Sequence, residues 1–275
     1  ANDTNGGTAA VTPTTQPTCT SGEYSTTLDV SSLDDDTITI TADHDSATQA
    51  SVSLLKLTSP PSVAITSPLA SDYIAISNES TFTVSGTCSA NGQEVTIGAY
   101  DANGATSAVA PGVQPTCAGG SFSVSINLSS LDDGTITIVA DHQDAAANVA
   151  PQSSVSLVKD TVAPDAMDSI TLYSDLTGSI SSTLSYTPDI TLAFSGSDVG
   201  TGVDHYEYQI EEAVGGVVQG WTSIASLAPF RVSGLSLVDA TNYLVKVRVV
   251  DAAGNESSPL SSAQWLTQQV ISVYD

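Results

Sequence analysis

Basic side chains are almost missing from this chain: Lys and Arg together number 5 against 30 Asp plus Glu, for a formal net charge of −25. Binding to nucleic acid rests on cations that neutralise phosphates, so that partner class is excluded, and adsorption to an anionic membrane is excluded by the same repulsion. No apolar run approaches the roughly 18 residues of a membrane-spanning helix, which excludes insertion by that route. Strong helix formers are scarce, with 1 Met and few Glu. Ser, Thr, Val, Ile, Ala and Gly dominate instead, a composition suited to pleated strands joined by polar turns. Catalytic signatures are missing too: the chain has no H-E-x-x-H, G-x-S-x-G, phosphate-loop or dinucleotide fingerprint. The isolated histidines His44 and His142 cannot make a zinc site, which needs three or four converging ligands. The carboxylates are numerous but fall at turns, so a non-catalytic protein is the expectation.

What the sequence does contain is an internal repeat. Ala1 to Ala47 reappears without a gap at Ala99 to Ala145, and about 27 of the 47 aligned positions are identical, including Gln16-Pro17-Thr18-Cys19 against Gln114-Pro115-Thr116-Cys117. A period near 98 residues is one small β-domain, well above a solenoid unit. Nothing in front of Ala1 matches Pro61 to Gly98, so the first copy reads as partial and the stretch as an excerpt from a longer protein. The boundaries that follow are a partial module over 1–57, a complete module over 58–160 and a third, differently patterned module over 161–275. The exits Ser51-Val52-Ser53-Leu54-Leu55-Lys56 and Ser154-Val155-Ser156-Leu157-Val158-Lys159 each run into a proline-bearing stretch. Proline fixes φ and cannot donate to a ladder, so these read as short, stiff connectors in a linear array.

The three cysteines follow the repeat. Cys88 and Cys117 lie in the complete copy, whereas Cys19 is the counterpart of Cys117 and has no counterpart of Cys88 beside it. One disulfide per complete repeat is the simplest account: Cys88 pairs with Cys117, and Cys19 is unpaired within this chain. Closing that loop contributes about 3 to 4 kcal/mol by chain-entropy arithmetic, and a structural disulfide implies an extracytoplasmic location.

Strand signals have period two. Phe82 and Val84 alternate with Thr81, Thr83 and Ser85; Phe122, Val124, Ile126 and Leu128 alternate with Ser and Asn; Tyr206, Tyr208 and Ile210 alternate with His205, Glu207 and Gln209. One buried and one wet face per strand predicts packed antiparallel sheets, an all-β fold. Leu131-Asp132-Asp133-Gly134 and Leu33-Asp34-Asp35-Asp36 read as turns whose carboxylates are turn-formers. Trp221 and Trp265 read as packing residues, and Leu235 to Tyr243 as a tyrosine corner.

On Val84-Ser85-Gly86-Thr87, Gly120-Ser121-Phe122-Ser123-Val124, Leu131-Asp132-Asp133-Gly134-Thr135 and Asp160-Thr161-Val162-Ala163-Pro164, the first two modules resemble bacterial immunoglobulin-like repeats of large surface and secreted adhesins. On Gly200-Thr201-Gly202-Val203, Trp221, Tyr243-Leu244-Val245-Lys246-Val247-Arg248 and Asp251-Ala252-Ala253-Gly254-Asn255, the third is similar to fibronectin type III modules. The resemblance implies tandem β-sandwiches in a linear array at the bacterial cell surface or outside the cell. It implies a structural stalk or spacer whose partners are neighbouring modules or chains of the same assembly. Two alternatives stand beside it. One is a subunit of an extracellular filament or sheath whose first module another chain completes. The other is an accessory glycan-binding module with Tyr206 or Trp221 as its platform.

Calcium is the one cofactor the resemblance suggests. In adhesin repeats of this kind, linker aspartates coordinate Ca2+ through oxygen-only ligation and stiffen the joint. By that resemblance the candidate ligands are Asp141, Asp144, Asp160 and Asp165, and the first joint is the weaker candidate because Leu57 stands in the aspartate position.

Overall fold

The computed structural model describes residues 1–4, 10–45, 47–103, 108–173, 183–185, 190–224, 230–232, 235, 237–238, 241–262 and 265–267. In them the chain is strand and turn, apart from one 3-10 turn at Glu79–Thr81.

The first module contributes β1 (Asn2–Asp3), β2 (Thr37–Ala42) and β3 (Ala50–Leu55), joined antiparallel in that order. The second contributes β4 (Val63–Ser67), β5 (Tyr73–Ile74), β6 (Phe82–Cys88), β7 (Val95–Asp101), β8 (Ser121–Ile126), β9 (Gly134–His142) and β10 (Ser153–Lys159). They form two sheets, ordered β5-β10-β9-β7 and β4-β6-β8. The sandwich arises from the alternation in the sequence. Phe82, Val84 and Cys88 of β6, Val95, Ile97 and Ala99 of β7, and Ile136, Ile138 and Ala140 of β9 all point inward into one core. Each fully buried aliphatic side chain there is worth about 1.5 to 3 kcal/mol relative to exposure. The Cys88–Cys117 disulfide joins the end of β6 to the segment before β8, and Cys19 is free and exposed.

Gly86 shows how tightly β6 is seated. A Cβ at this position would lie 2.0 Å from the Ala64 carbonyl and 2.7 Å from the Phe122 ring. Only glycine lets β4 and the Phe122 side chain close on β6 together.

The third module contributes β11 (Ile170–Tyr173), β12 (Thr183–Ser185), β13 (Ile190–Phe194), β14 (Val203–Glu212), β15 (Val217–Ile224), β16 (Phe230–Val232), β17 (Asn242–Asp251), β18 (Leu260–Ser261) and β19 (Trp265–Thr267). Its sheets run β11-β13-β16 and β12-β19-β17-β14-β15, with β18 beside β17. Tyr206, Tyr208 and Ile210 of β14 meet Tyr243, Val245, Val247 and Val249 of β17 in the core. The tyrosine corner is present: the buried Tyr243 hydroxyl accepts from the Val238 backbone N–H at 2.8 Å. Trp221 is half-buried rather than core, with the Arg248 guanidinium 4.4 Å from its ring centroid. The side chain of Trp265 lies outside the described residues.

Candidate functional site

Functional interest concentrates where one module hands over to the next. A lysine closes each exit, Lys56 just after β3 and Lys159 as the last residue of β10, and is followed two residues later by a threonine, Thr58 or Thr161. The second aspartate of the preceding turn captures that threonine. Asp35 accepts from Thr58 N and Oγ1, both at 2.8 Å, and from Ser59 N at 3.1 Å. Asp133 accepts from Thr161 N at 3.1 Å and from Thr161 Oγ1 at 3.0 Å. These carboxylates therefore cap the connector, a role beyond the turn-forming one expected of them. The Thr58 backbone N–H and hydroxyl hold Asp35 below the ordinary carboxylate range.

The downstream module completes each joint with its final hairpin. In Asp144-Ala145-Ala146-Ala147-Asn148, the Asn148 amide donates to Asp144 Oδ2 at 2.8 Å and to the connector carbonyl of Leu57 at 3.1 Å. In Asp251-Ala252-Ala253-Gly254-Asn255, the Asn255 amide donates to Asp251 Oδ2 at 2.8 Å and to the connector carbonyl of Asp160 at 2.9 Å. The second joint has one bond more, from Ile76 N to Asn255 Oδ1 at 3.2 Å. The repeat alone did not reveal this clamp. Its signal is the aspartate-to-asparagine spacing of four, present in both hairpins despite their different glycine content.

The expected calcium ligands are dispersed by the topology. In the β9/β10 hairpin, Gly134 pairs with Lys159 and Ala140 with Ser153. Asp141 therefore sits at the far end of β9 and Asp144 just past it, a strand-length of roughly 25 Å from the Asp160 end at about 3.3 Å per residue. Asp141 accepts from Gln152 Nε2 at 2.9 Å. Asp144 belongs to the first joint, where the Asn148 amide, ahead of the backbone N–H groups of Asn148 and Ala146, holds its carboxyl low against desolvation and the Asp35 charge. Asp165 accepts from Ser197 Oγ at 3.0 Å.

Asp160 is instead joined by Asp198 and Asp251, residues that sequence reasoning did not select as ligands. One carboxylate oxygen from each lies within 4.8 Å of the others. Asp160 and Asp251 are each 2 % exposed. Asp160 Oδ2 accepts from Thr201 N at 2.6 Å and Thr201 Oγ1 at 2.7 Å, and Asp251 is held by Asn255. Asp198 Oδ2 accepts from Gly202 N at 2.7 Å, whereas Asp198 Oδ1 is buried with no hydrogen-bond partner. Among the described residues no ion pair reaches the triad. Lys159 is engaged by Glu79 and Asp133, Lys246 by Glu211, and Arg248 by Glu207 and Glu256. Unit charges at such separations near a protein surface repel by roughly 3 to 4 kcal/mol per pair. Three oxygen donors with one buried oxygen unmatched fit a hard divalent cation that takes oxygen ligands.

The aromatic platform does not form around Tyr206. That ring is buried against Phe194 at 4.7 Å between centroids, and its hydroxyl accepts from Gly196 N at 3.3 Å. His142 is also structural: Nδ1 lies 2.8 Å from the Glu94 carbonyl, and Nε2 accepts from Ala90 N at 3.2 Å.

The architecture is thus that of tandem immunoglobulin-like and fibronectin type III-like β-sandwich modules. Solved structures with a similar fold include the fibronectin(III)-like modules of Clostridium thermocellum CbhA, at 16% identity over 78% of this chain and 98% of that one with a TM-score of 0.44. A domain segment of titin matches at 15% identity over 92% of this chain and 82% of that one, with a TM-score of 0.48. A tetra-tandem repeat from the extending region of a large adhesion protein matches at 23% identity over 91% of this chain and 62% of that one, with a TM-score of 0.35. No family model and no curated protein matches the chain.

Proposed function

We propose that this chain is a non-catalytic spacer segment of a large bacterial extracellular or cell-surface protein of the adhesin type, built to hold successive modules in fixed register. The observation that carries this reading is the repeated clamp. At both joints an aspartate of the upstream turn binds the connector threonine, and an asparagine of the downstream hairpin binds the connector carbonyl. Side chains committed to fixing one module on the next are what a spacer requires. The partners of such a segment are the neighbouring modules or chains of its own assembly.

The second joint is the one we assign to calcium, with Asp160, Asp198 and Asp251 as the protein ligands. Bound there, the ion would relieve the mutual repulsion of the carboxylates and give Asp198 Oδ1 a partner. It would also couple the exit of the second module to the hairpin of the third. The test is the melting of the third module, with small-angle scattering of the whole chain, in millimolar calcium and in excess chelator. Calcium should raise the melting temperature, since a ligand at 100-fold its Kd adds about 2.7 kcal/mol to the folded state. Asp198→Ala should remove the increment. Identical melting and scattering in calcium and chelator would leave the spacer standing without its ion. Free hinging at both joints in either condition would refute the spacer itself.

A further inference from the structure

The first module leaves open a face that the second module covers, and the repeat says with what. Leu54 is 53 % exposed where its counterpart Leu157 is 2 %, and Tyr24 is 58 % exposed where Phe122 is 4 %. Between the Tyr24 segment and the β2/β3 hairpin runs a groove of about 680 Å³, lined by Tyr24, Leu28, Val30, Ile38, Ile40 and Leu54 among others. In the second module the equivalent of Glu23 to Leu28 is β8, paired along its length with β6. In the first module that stretch is not a strand.

Polar and sulfur groups tell the same story, residue by residue. Gln114 donates to the Ile97 carbonyl at 3.0 Å and accepts from Ile97 N at 2.7 Å. Cys117 is bonded to Cys88, and the His142 ring binds Glu94 and Ala90. All these partners lie within Pro61 to Gly98. Their identical counterparts Gln16, Cys19 and His44 are exposed, and among the described residues their side chains have no partner. Asn148 fits the pattern too, because among the described residues the bond that Asn255 Oδ1 receives from Ile76 has no equivalent at the first joint.

We infer that the open face is the seat of one particular kind of occupant: a polypeptide segment of the Pro61–Gly98 type, disulfide-bonded to Cys19. The β6 register specifies it. The pairs Phe82 with Ile126 and Gly86 with Phe122 become an apolar residue opposite Leu28 and a glycine opposite Tyr24, with a cysteine two residues beyond. The glycine is required because a Cβ at Gly86 falls 2.7 Å from the Phe122 ring. A second copy of this chain cannot serve, since its own Pro61–Gly98 is already built into its second module.

The test joins a second copy of residues 61–98 directly to Ala1 of the full chain, reproducing the natural Gly98-Ala99 junction. The added copy should drop the free thiol count from one per chain to none, with Cys19 mapped to the added cysteine under non-reducing conditions. Binding of an apolar dye should fall several-fold. Serine in place of the added cysteine should keep the loss of dye binding, which separates seating from covalent capture. Valine in place of the added glycine should abolish both changes. Retention of the Cys19 thiol and of dye binding in the extended chain would overturn the inference. So would a dimer of the unextended chain that shields Tyr24 and Leu54, because the occupant would then be a second copy.

Discussion

Asn255→Ala tests the clamp most directly. The side chain makes three hydrogen bonds, to the Asp160 carbonyl, to Asp251 Oδ2 and from Ile76 N, and the residue is 2 % exposed. At about 1 kcal/mol net for each bond, truncation costs about 3 kcal/mol, and more if the orphaned groups stay dry. A domain of this size loses about 4 °C of melting temperature per kcal/mol at the lower end of the usual range, so the third module should melt about 12 °C lower. Differential scanning calorimetry in chelator measures this without interference from metal. The companion Asn148→Ala removes two bonds, to Leu57 O and Asp144 Oδ2, and should cost the second module about 2 kcal/mol. Ser258→Ala, at an exposed position of the same hairpin region, is the control. An Asn255→Ala shift below about 3 °C, or one no larger than the control, would refute the reasoning that the bonds across the joint are energetically coupled to the fold.

Three further outcomes are expected. Replacing Cys88 and Cys117 together by serine should destabilise the second module by about 2 to 4 kcal/mol in denaturant titration, leaving the melting of the third unchanged. Gly200→Ala places a Cβ 2.2 Å from Asp160 Oδ2 and should displace that carboxylate, abolishing any calcium-dependent rise in melting temperature while altering the melt in chelator much less. Asp144 is held below its ordinary value of 3.8, first by the Asn148 amide, so its contribution is complete above pH 3.8 and is lost as pH falls through the lower folded-state value. Melting curves of the second module between pH 5 and pH 2.5 should show a loss that Asn148→Ala diminishes.

The fold was legible because it depends on period two. In β6, Phe82, Val84 and Cys88 are buried in alternation, as the pattern of apolar residues requires whatever the neighbouring strand. The tyrosine corner was legible for a similar reason, since it closes within a few residues of Tyr243. The site was legible only in part. Asp160 stands out in the sequence at the connector, but Asp198 and Asp251 lie 38 and 91 residues further along the chain, and only the packing of the third module against the connector brings the three carboxylates together. Asp141 and Asp144 are near Asp160 in sequence, but the hairpin carries them to the opposite end of the module. The connector role of Asp35 and Asp133 was hidden by a turn that explains an aspartate on its own.

The clamp also sets the order in which such a chain can be assembled. The asparagine that locks a connector is encoded 91 residues after Leu57 and 95 residues after Asp160. At synthesis rates of about 5 to 20 residues per second, each connector waits some 5 to 20 seconds before its locking residue exists. A nascent or translocating chain therefore carries one open joint at its growing end while every earlier joint can already be shut, and a chain stopped mid-module would keep that last joint open.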